Sequence, residues 1–193
     1  MQTEADIIKA CGQNSASAQQ LLYSRYAPLL KSVCLRYIQD KEEAKDVLHD
    51  SFIKIFSVIS KYTGNGSFEG WMKKVVINVA IDHIKKKQRI NFSQRDDLEN
   101  LEKIESESNQ SNTDSLLNTG FSTDDLLILL HNVQPEYSSV FNMFFIDQLS
   151  HKDIAETLQI DENTSRTRLF RAKILVKKEL EKELRRRQNT PIY

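Results

Sequence analysis

Apolar residues recur along the first half of the chain at mixed steps of three and four. In "SAQQLLYSRYAPLLKSVCLRYI" they fall at Leu21, Leu22, Tyr26, Leu29, Leu30, Val33, Leu35 and Tyr37, the spacing of one helical face. The next segment, "DKEEAKDVLHDSFIKIFSVISKY", opens with Asp40 as a cap and acids in its first turn, which suits a helix N-terminus. Its apolar stripe runs through Ala44, Val47, Leu48, Phe52, Ile55 and Phe56. "TGNGS", Thr63 to Ser67, interrupts the pattern with turn residues. A third helix, "FEGWMKKVVINVAIDHIKKKQR", is expected to bury Trp71, Val75, Val76, Val79 and Ile84 or their near neighbours.

From about Gln88 to Thr123 the periodicity disappears into a polar, acidic, Ser- and Asn-rich stretch, the composition of a mobile linker. Only Leu98 to Ile104 carries a weak helical signal there. Fully extended, roughly 30 residues reach ~100 Å. Helical patterning then returns. "STDDLLILLHNV" starts with Ser122 or Thr123 as cap, and Pro135 suits the first turn of "PEYSSVFNMFFID". Gln148 and Leu149 form a turn, and Ser150 with Asp153 makes a capping box for "HKDIAETL". A short turn after Gln159-Ile160 leads into a last helix, "IDENTSRTRLFRAK", continued by "RAKILVKKELEKELRRR".

Composition agrees with an all-α chain. Of 193 residues, 39% are hydrophobic, while five Gly and three Pro leave few breaks for sheet turns. Two cysteines, Cys11 and Cys34, make no disulfide framework and suit a reducing compartment. No signal peptide and no apolar run approaching a membrane span is evident, so direct membrane insertion is not expected and a cytoplasmic location is. The formal net charge is +0, but it is segregated. Lys73, Lys74, Lys85, Lys86, Lys87, Arg89 and Arg95 face Asp82 alone between Trp71 and Arg95; acids outweigh Lys103 from Asp96 to Asp125; bases return from Thr164 to Arg187. That is the pattern of two anion-binding surfaces joined by a self-repelling tether.

The last two helices carry the sharpest chemistry. Ile154, Ala155, Leu158, Ile160 and Leu169 form a compact apolar set that locks two short helices near a right angle, with Ala155 small enough for close approach. At 3.6 residues per turn, Asn163, Arg166, Thr167, Phe170 and Arg171 then share the outer side, and Leu169, Ala172 and Val176 turn inward. Such a face suits the major groove: Arg pairs bidentately with a guanine edge, Phe170 lies against a thymine methyl, and Thr164 binds phosphate near the helix start. The plainer alternative is a basic solvated helix, which remains the default for the tail "LRRRQ".

Three segments, "LYSRYAPLLKSVCLRYIQDKEEAKDVLHDSFIKIF", "GSFEGWMKKVVINVAIDHIKKK" and "SHKDIAETLQIDENTSRTRLFRAK", together resemble an extracytoplasmic-function sigma factor of the sigma-70 family, in the family's order. The resemblance implies two small helical domains joined by a flexible linker: region 2 over residues 10–88, an acidic tether over 89–121, and a helix-turn-helix region 4 over 122–186. It implies core RNA polymerase and promoter DNA as partners, an anti-sigma factor as a restraint, and no catalytic residue, metal or cofactor. Glu43, Asp46, Asp50 and Phe52 would serve polymerase binding, the helix docking on the clamp helices of the largest polymerase subunit. Phe68, Trp71, Lys74, Asn78, His83 and Lys86 would serve the minus-ten element, with Gly64 and Gly66 permitting close backbone approach and a flipped base held nearby. Thr164, Arg166, Thr167, Arg168, Phe170, Arg171 and Lys173 would serve the minus-thirty-five duplex, Thr164 and Arg168 nearer the backbone. Two departures stand out: Ser165 where many relatives carry an apolar residue, and Gln159 where glycine is frequent.

Two other classes fit parts of the chain. A dimeric helix-turn-helix regulator would use the N-terminal half as a sensor, although its basic and aromatic residues look more like a nucleic-acid surface than a ligand pocket. An HD-type phosphohydrolase would use His49-Asp50, Asp46 and Asp82-His83, but the remaining histidines, His131 and His151, lie in the other half.

Overall fold

The computed structural model describes residues 3–92 and 123–188, and among these residues every regular element is helical. The chain divides into two compact units, Met1–Ile84 and Lys85–Tyr193. The helix before the expected tether runs on to Phe92, past the tether's expected start at 89; residues 93–122, with the signal at Leu98 to Ile104 and the cap at Ser122, lie outside the described residues.

The first unit starts with α1 (Glu4–Gly12), ahead of the first helix that the apolar pattern located. Thr3 Oγ1 accepts the Asp6 N–H, and the Asp6 carboxylate accepts the Thr3 N–H at 3.0 Å, a complete capping box. Only Ile7 and Cys11 are buried on α1, too few apolar positions to declare a helix by periodicity. The Tyr26 hydroxyl donates to the Glu4 carboxylate and fastens α1 to α2 (Ala16–Tyr37). Burial, then the hydrogen bond to Glu4 and the Glu4 charge, push that phenol up to about 12.

Asp40 caps α3 (Lys41–Val58), accepting the Glu42 and Glu43 N–H groups at 2.9 Å. A 3-10 turn, Ile59–Lys61, leads through the glycine loop to α4 (Phe68–Phe92). The buried stripe of α4 is Phe68, Met72, Val76, Ile77, Ala80 and Ile81, whereas Trp71, Val75, Val79 and Ile84 are half-buried. The expected stripe is thus rotated by about one residue. Phe68 explains the rotation. Its ring sits 6.0 Å from Tyr26 and 5.1 Å from Tyr62, and positions 68, 72, 76 and 80 follow it inward.

The second unit holds α5 (Thr123–His131), α6 (Pro135–Phe141), α7 (His151–Leu158) and α8 (Glu162–Gln188). Pro135 stands at the start of α6, where its missing N–H costs nothing. α6 does not run on to Asp147 as a regular helix; it widens into a π turn at Asn142–Ile146. The chain then reverses through Gln148, at φ 54. Val133, Tyr137 and Ala172 form a buried cluster with Phe141, Leu175 and Val176 packed against it. The far end of α8 is tied to α5 by an ion pair from Arg187 to Asp125. With Arg186 and Arg187 also on Glu183, the basic tail is engaged within its own unit.

Candidate nucleic-acid interface

Ser150 Oγ accepts the Asp153 N–H at 3.1 Å and starts α7. Gln159 ends it in the left-handed region, φ 59 and ψ 47, its N–H reaching back to the Ala155 and Glu156 carbonyls. The turn is therefore as sharply left-handed as a glycine would make it, at the cost of about 1 kcal/mol for a residue with a Cβ. Ile160 N–H bonds the Ala155 carbonyl at 3.0 Å and closes the reversal. Asp161 then caps α8, accepting the Thr164 N–H at 2.7 Å and the Thr164 hydroxyl at 2.6 Å. Those bonds hold the Asp161 carboxyl below the usual carboxylate range. The Thr164 hydroxyl proton is thus spent on Asp161, beside a negative charge, and the expected phosphate contact from Thr164 does not match this geometry.

The two faces of α8 separate cleanly in its first three turns. Asn163, Arg166, Thr167, Phe170 and Arg171 are exposed, Phe170 at 53%, while Ser165, Leu169 and Ala172 are buried. Arg166 pairs with Glu162 one turn earlier at 3.2 Å, which aims the guanidinium along the outer face. Arg168 is half-buried. Lys173 is half-buried too, its ammonium 5.3 Å from the centre of the Phe145 ring, so it leans onto its own domain rather than outward. Behind this face, Ser165 Oγ lies 2.9 Å from His151 Nδ1, and the His151 ring stacks on Phe144 with centroids 4.9 Å apart. Burial first, then the Arg166 charge, hold His151 below its ordinary pKa. The hydroxyl at an inward position is thereby satisfied; the signal in the sequence was the histidine one residue after the Ser150 cap.

In the first unit, Gly64 and Gly66 take φ 81 and 84, the backbone that glycine alone adopts freely. The Tyr62 hydroxyl donates to the Gly66 carbonyl at 2.8 Å, and Ser67 Oγ accepts the Gly70 N–H at 3.1 Å. A Cβ on Gly70 would stand 2.9 Å from Ser67 Oγ, so the small residue protects that cap. Phe68 is only 2% exposed. A base cannot stack on it, because Tyr26, Tyr62 and Trp71 already cover the ring. Trp71 lies nearly parallel to Phe68, 5.5 Å away at 15°, and is half-buried. Lys74, Asn78 and Lys86 are exposed on α4; Asn78 sits on its solvent side rather than within an apolar helix.

His83 is half-buried, with Nε2 3.4 Å from Glu43 Oε2 on α3. The fold thus joins a residue expected at DNA to one expected at polymerase. Asp46 and Asp50 are exposed a turn apart on α3, but Phe52 is 2% exposed, packed 4.5 Å from Tyr23 and 5.8 Å from Phe56. The apolar residue that α3 does present is Ile53, 57% exposed beside Asp50, which periodicity alone did not single out. His49 and Asp50 are both exposed, and among the described residues no group of three or more His, Cys, Asp or Glu side chains is arranged to hold a metal. Among the described residues no helix is long and apolar enough to cross a membrane.

Residues 22–90 match the family model for Sigma-70 region 2, and residues 124–175 that for Sigma-70, region 4. The ECF RNA polymerase sigma-E factor of Haemophilus influenzae is 24% identical over 188 residues, covering 93% of this chain and 96% of that protein. The RNA polymerase sigma-H factor of Pseudomonas aeruginosa is 23% identical, covering 94% and 96%. Among solved structures, the fold is similar to the sigma factor RpoE of Bartonella quintana, bound there to the anti-sigma factor NepR. That likeness has TM-score 0.56 and 14% identity, covering 84% of this chain and 96% of that one. CnrH, solved with the cytosolic domain of CnrY, gives TM-score 0.51 at 13% identity, covering 91% and 95%.

Proposed function

Because this chain belongs to the sigma-70 family, as an extracytoplasmic-function sigma factor, we propose which of its surfaces perform each step of promoter-directed initiation. It binds core RNA polymerase and directs transcription from specific promoters, region 2 acting on the minus-ten element and region 4 on the minus-thirty-five element. It is an initiation factor, not an enzyme.

The residue assignments are our own. Region 2 spans 10–88, region 4 spans 122–186, and 89–121 is the tether between them. On α3, Asp46 and Asp50 offer carboxylates to basic groups of polymerase, with Glu43 at the edge of that face. On α4, Lys74 and Lys86 draw in phosphates and Asn78 bonds a base edge, an attraction that weakens with salt. Trp71, half-buried with Phe68 and Tyr62 against its ring, offers its exposed part to a base. His83 meets DNA from its place beside Glu43. Phe52 and Phe68 act through the core that carries these groups.

On α8, Arg166, Thr167, Phe170 and Arg171 enter the major groove, and Arg168 lies nearer the backbone. The observation that carries this is the division of α8 into an exposed polar face and a buried face holding Ser165, Leu169 and Ala172. The solved structure of RpoE with the anti-sigma factor NepR supports a regulatory partner of that kind here, acting in the cytoplasm where polymerase works.

Reconstitution tests the reading. Core polymerase, purified without its own specificity factor, should bind the full chain and start transcripts at a defined set of sites in a genomic DNA library. A chain that binds duplex DNA alone as a dimer, and leaves core polymerase idle, would instead be a conventional regulator.

A further inference from the structure

Ser165 is fully buried, directly before Arg166 and two residues before Thr167 on the reading face of α8. Its hydroxyl meets His151 Nδ1 at 2.9 Å. His151 is the first residue of α7, behind the Ser150 cap, and its ring is braced by the stacked Phe144 of the π turn. A line of support therefore runs from the π turn through the start of α7 to the first turn of α8.

The other buried side chains of α7 and of the first two turns of α8 are apolar, Ile154, Ala155, Leu158 and Leu169, while Ala172 joins the cluster with Val133 and Tyr137. Apolar contact is non-directional and sets no preferred bond angle of its own. A hydrogen bond is directional and weakens steeply when bent. The His151–Ser165 bond is thus a directional side-chain contact between α7 and α8, placed to resist rotation of α8 about its own axis. Such a rotation would carry Arg166, Thr167, Phe170 and Arg171 together off their base edges.

We propose that His151 and Ser165 are positioning residues for promoter reading, their hydrogen bond fixing the rotation at which α8 presents its outer face to duplex DNA. The inference rests on the assignment of α8 to minus-thirty-five recognition. It gives a role to the serine at a position where an apolar residue would pack.

The test uses full-length protein assembled with core polymerase. It transcribes a promoter library with a fixed minus-ten element and a randomised upstream duplex; the readout is enrichment of preferred upstream sequences, with thermal midpoints measured in parallel. Ser165→Ala should lower enrichment about three- to tenfold, the scale of one lost hydrogen bond, while Ser165→Thr, which keeps the hydroxyl, should retain it. The apolar pair His151→Phe with Ser165→Val should keep the wild-type thermal midpoint yet show the same loss of enrichment. Wild-type enrichment in Ser165→Ala or in the apolar pair, or an equal loss in Ser165→Thr, overturns the proposal. If Arg171→Ala alone loses enrichment, the reading face stands and only the positioning link falls; if the wild-type protein enriches nothing upstream, the assignment of α8 itself falls and the link with it.

Discussion

The two units expose their functional residues by different rules. In the second unit a short helix pair packs one side of α8, and the opposite side is free: every residue placed outward by the helical period, from Asn163 to Arg171, is exposed. In the first unit the aromatic residues are shared between core and surface. Phe52 and Phe68, which have the chemistry to stack on a base or press on a partner, are buried against other rings. Large flat side chains bury the most area per residue, so a small domain uses them inside first. An aromatic residue on a helix covered on several sides is therefore a poor indicator of a nucleic-acid contact, whereas a basic residue on a helix covered on one side is a good one.

The largest effect should come from exchanging the roles of two phenylalanines. Phe68→Ala should destabilise the first unit by about 3–5 kcal/mol through cavity formation, seen as a lower denaturation midpoint. Phe170→Ala should change stability by less than ~0.5 kcal/mol while reducing transcription. Similar stability losses for both would erase the contrast between the units.

Next, Arg171→Ala should reduce discrimination between promoters differing in the minus-thirty-five element by about 1–3 kcal/mol, with folding unaffected. Unchanged promoter ratios in the reconstituted system would remove Arg171 from base reading. Ser150→Ala should cost about 1 kcal/mol by exposing the first turn of α7, measured by chemical denaturation; no change would mean that the cap contributes nothing.

The smallest effect is a pH dependence confined to the second unit. The His151 pKa is lowered from 6.5 by burial, then by the Arg166 charge, with Glu162 opposing and Lys173 reinforcing that effect. The unfolded chain then binds the extra proton more readily, so the contribution of His151 to stability is constant above pH 6.5 and falls as pH drops below it. His151→Phe should flatten this part of the stability–pH curve, and an unaltered slope in that variant would assign the titration elsewhere. Asp6 in the first unit and Asp161 in the second act in another window. Their carboxyls are held below 3.8 by Thr3 and Thr164, so their contribution is present above that pH and is lost under stronger acid.

Much of the architecture was legible from residue order. Asp40, Ser150 and Pro135 marked helix starts because capping depends on a few adjacent atoms. The helix-turn-helix was legible because Ala155, Leu158 and Leu169 report one local junction. Less visible were α1, whose two buried positions make no stripe, and the π turn at Asn142–Ile146, which retains a helical pattern while shifting its register. The rotation of α4 was also hidden. Trp71 and Phe68 are three residues apart and either could have led the buried stripe; the decision fell to Tyr26 and Tyr62, from outside that helix.

By itself the sequence determined the features that neighbours along the chain settle among themselves: an all-helical protein, its caps and turns, the separation of charge, and the outward side of α8. Tertiary structure alone decided the features that depend on distant residues meeting. It turned Phe68 inward, paired Glu43 with His83, spent the Thr164 hydroxyl on Asp161 once the turn had formed, and gave the buried Ser165 a partner in His151. The physical reason is that periodicity fixes the angular position of a side chain on its own helix, while burial and hydrogen bonding are set by whatever the other helices bring to that side.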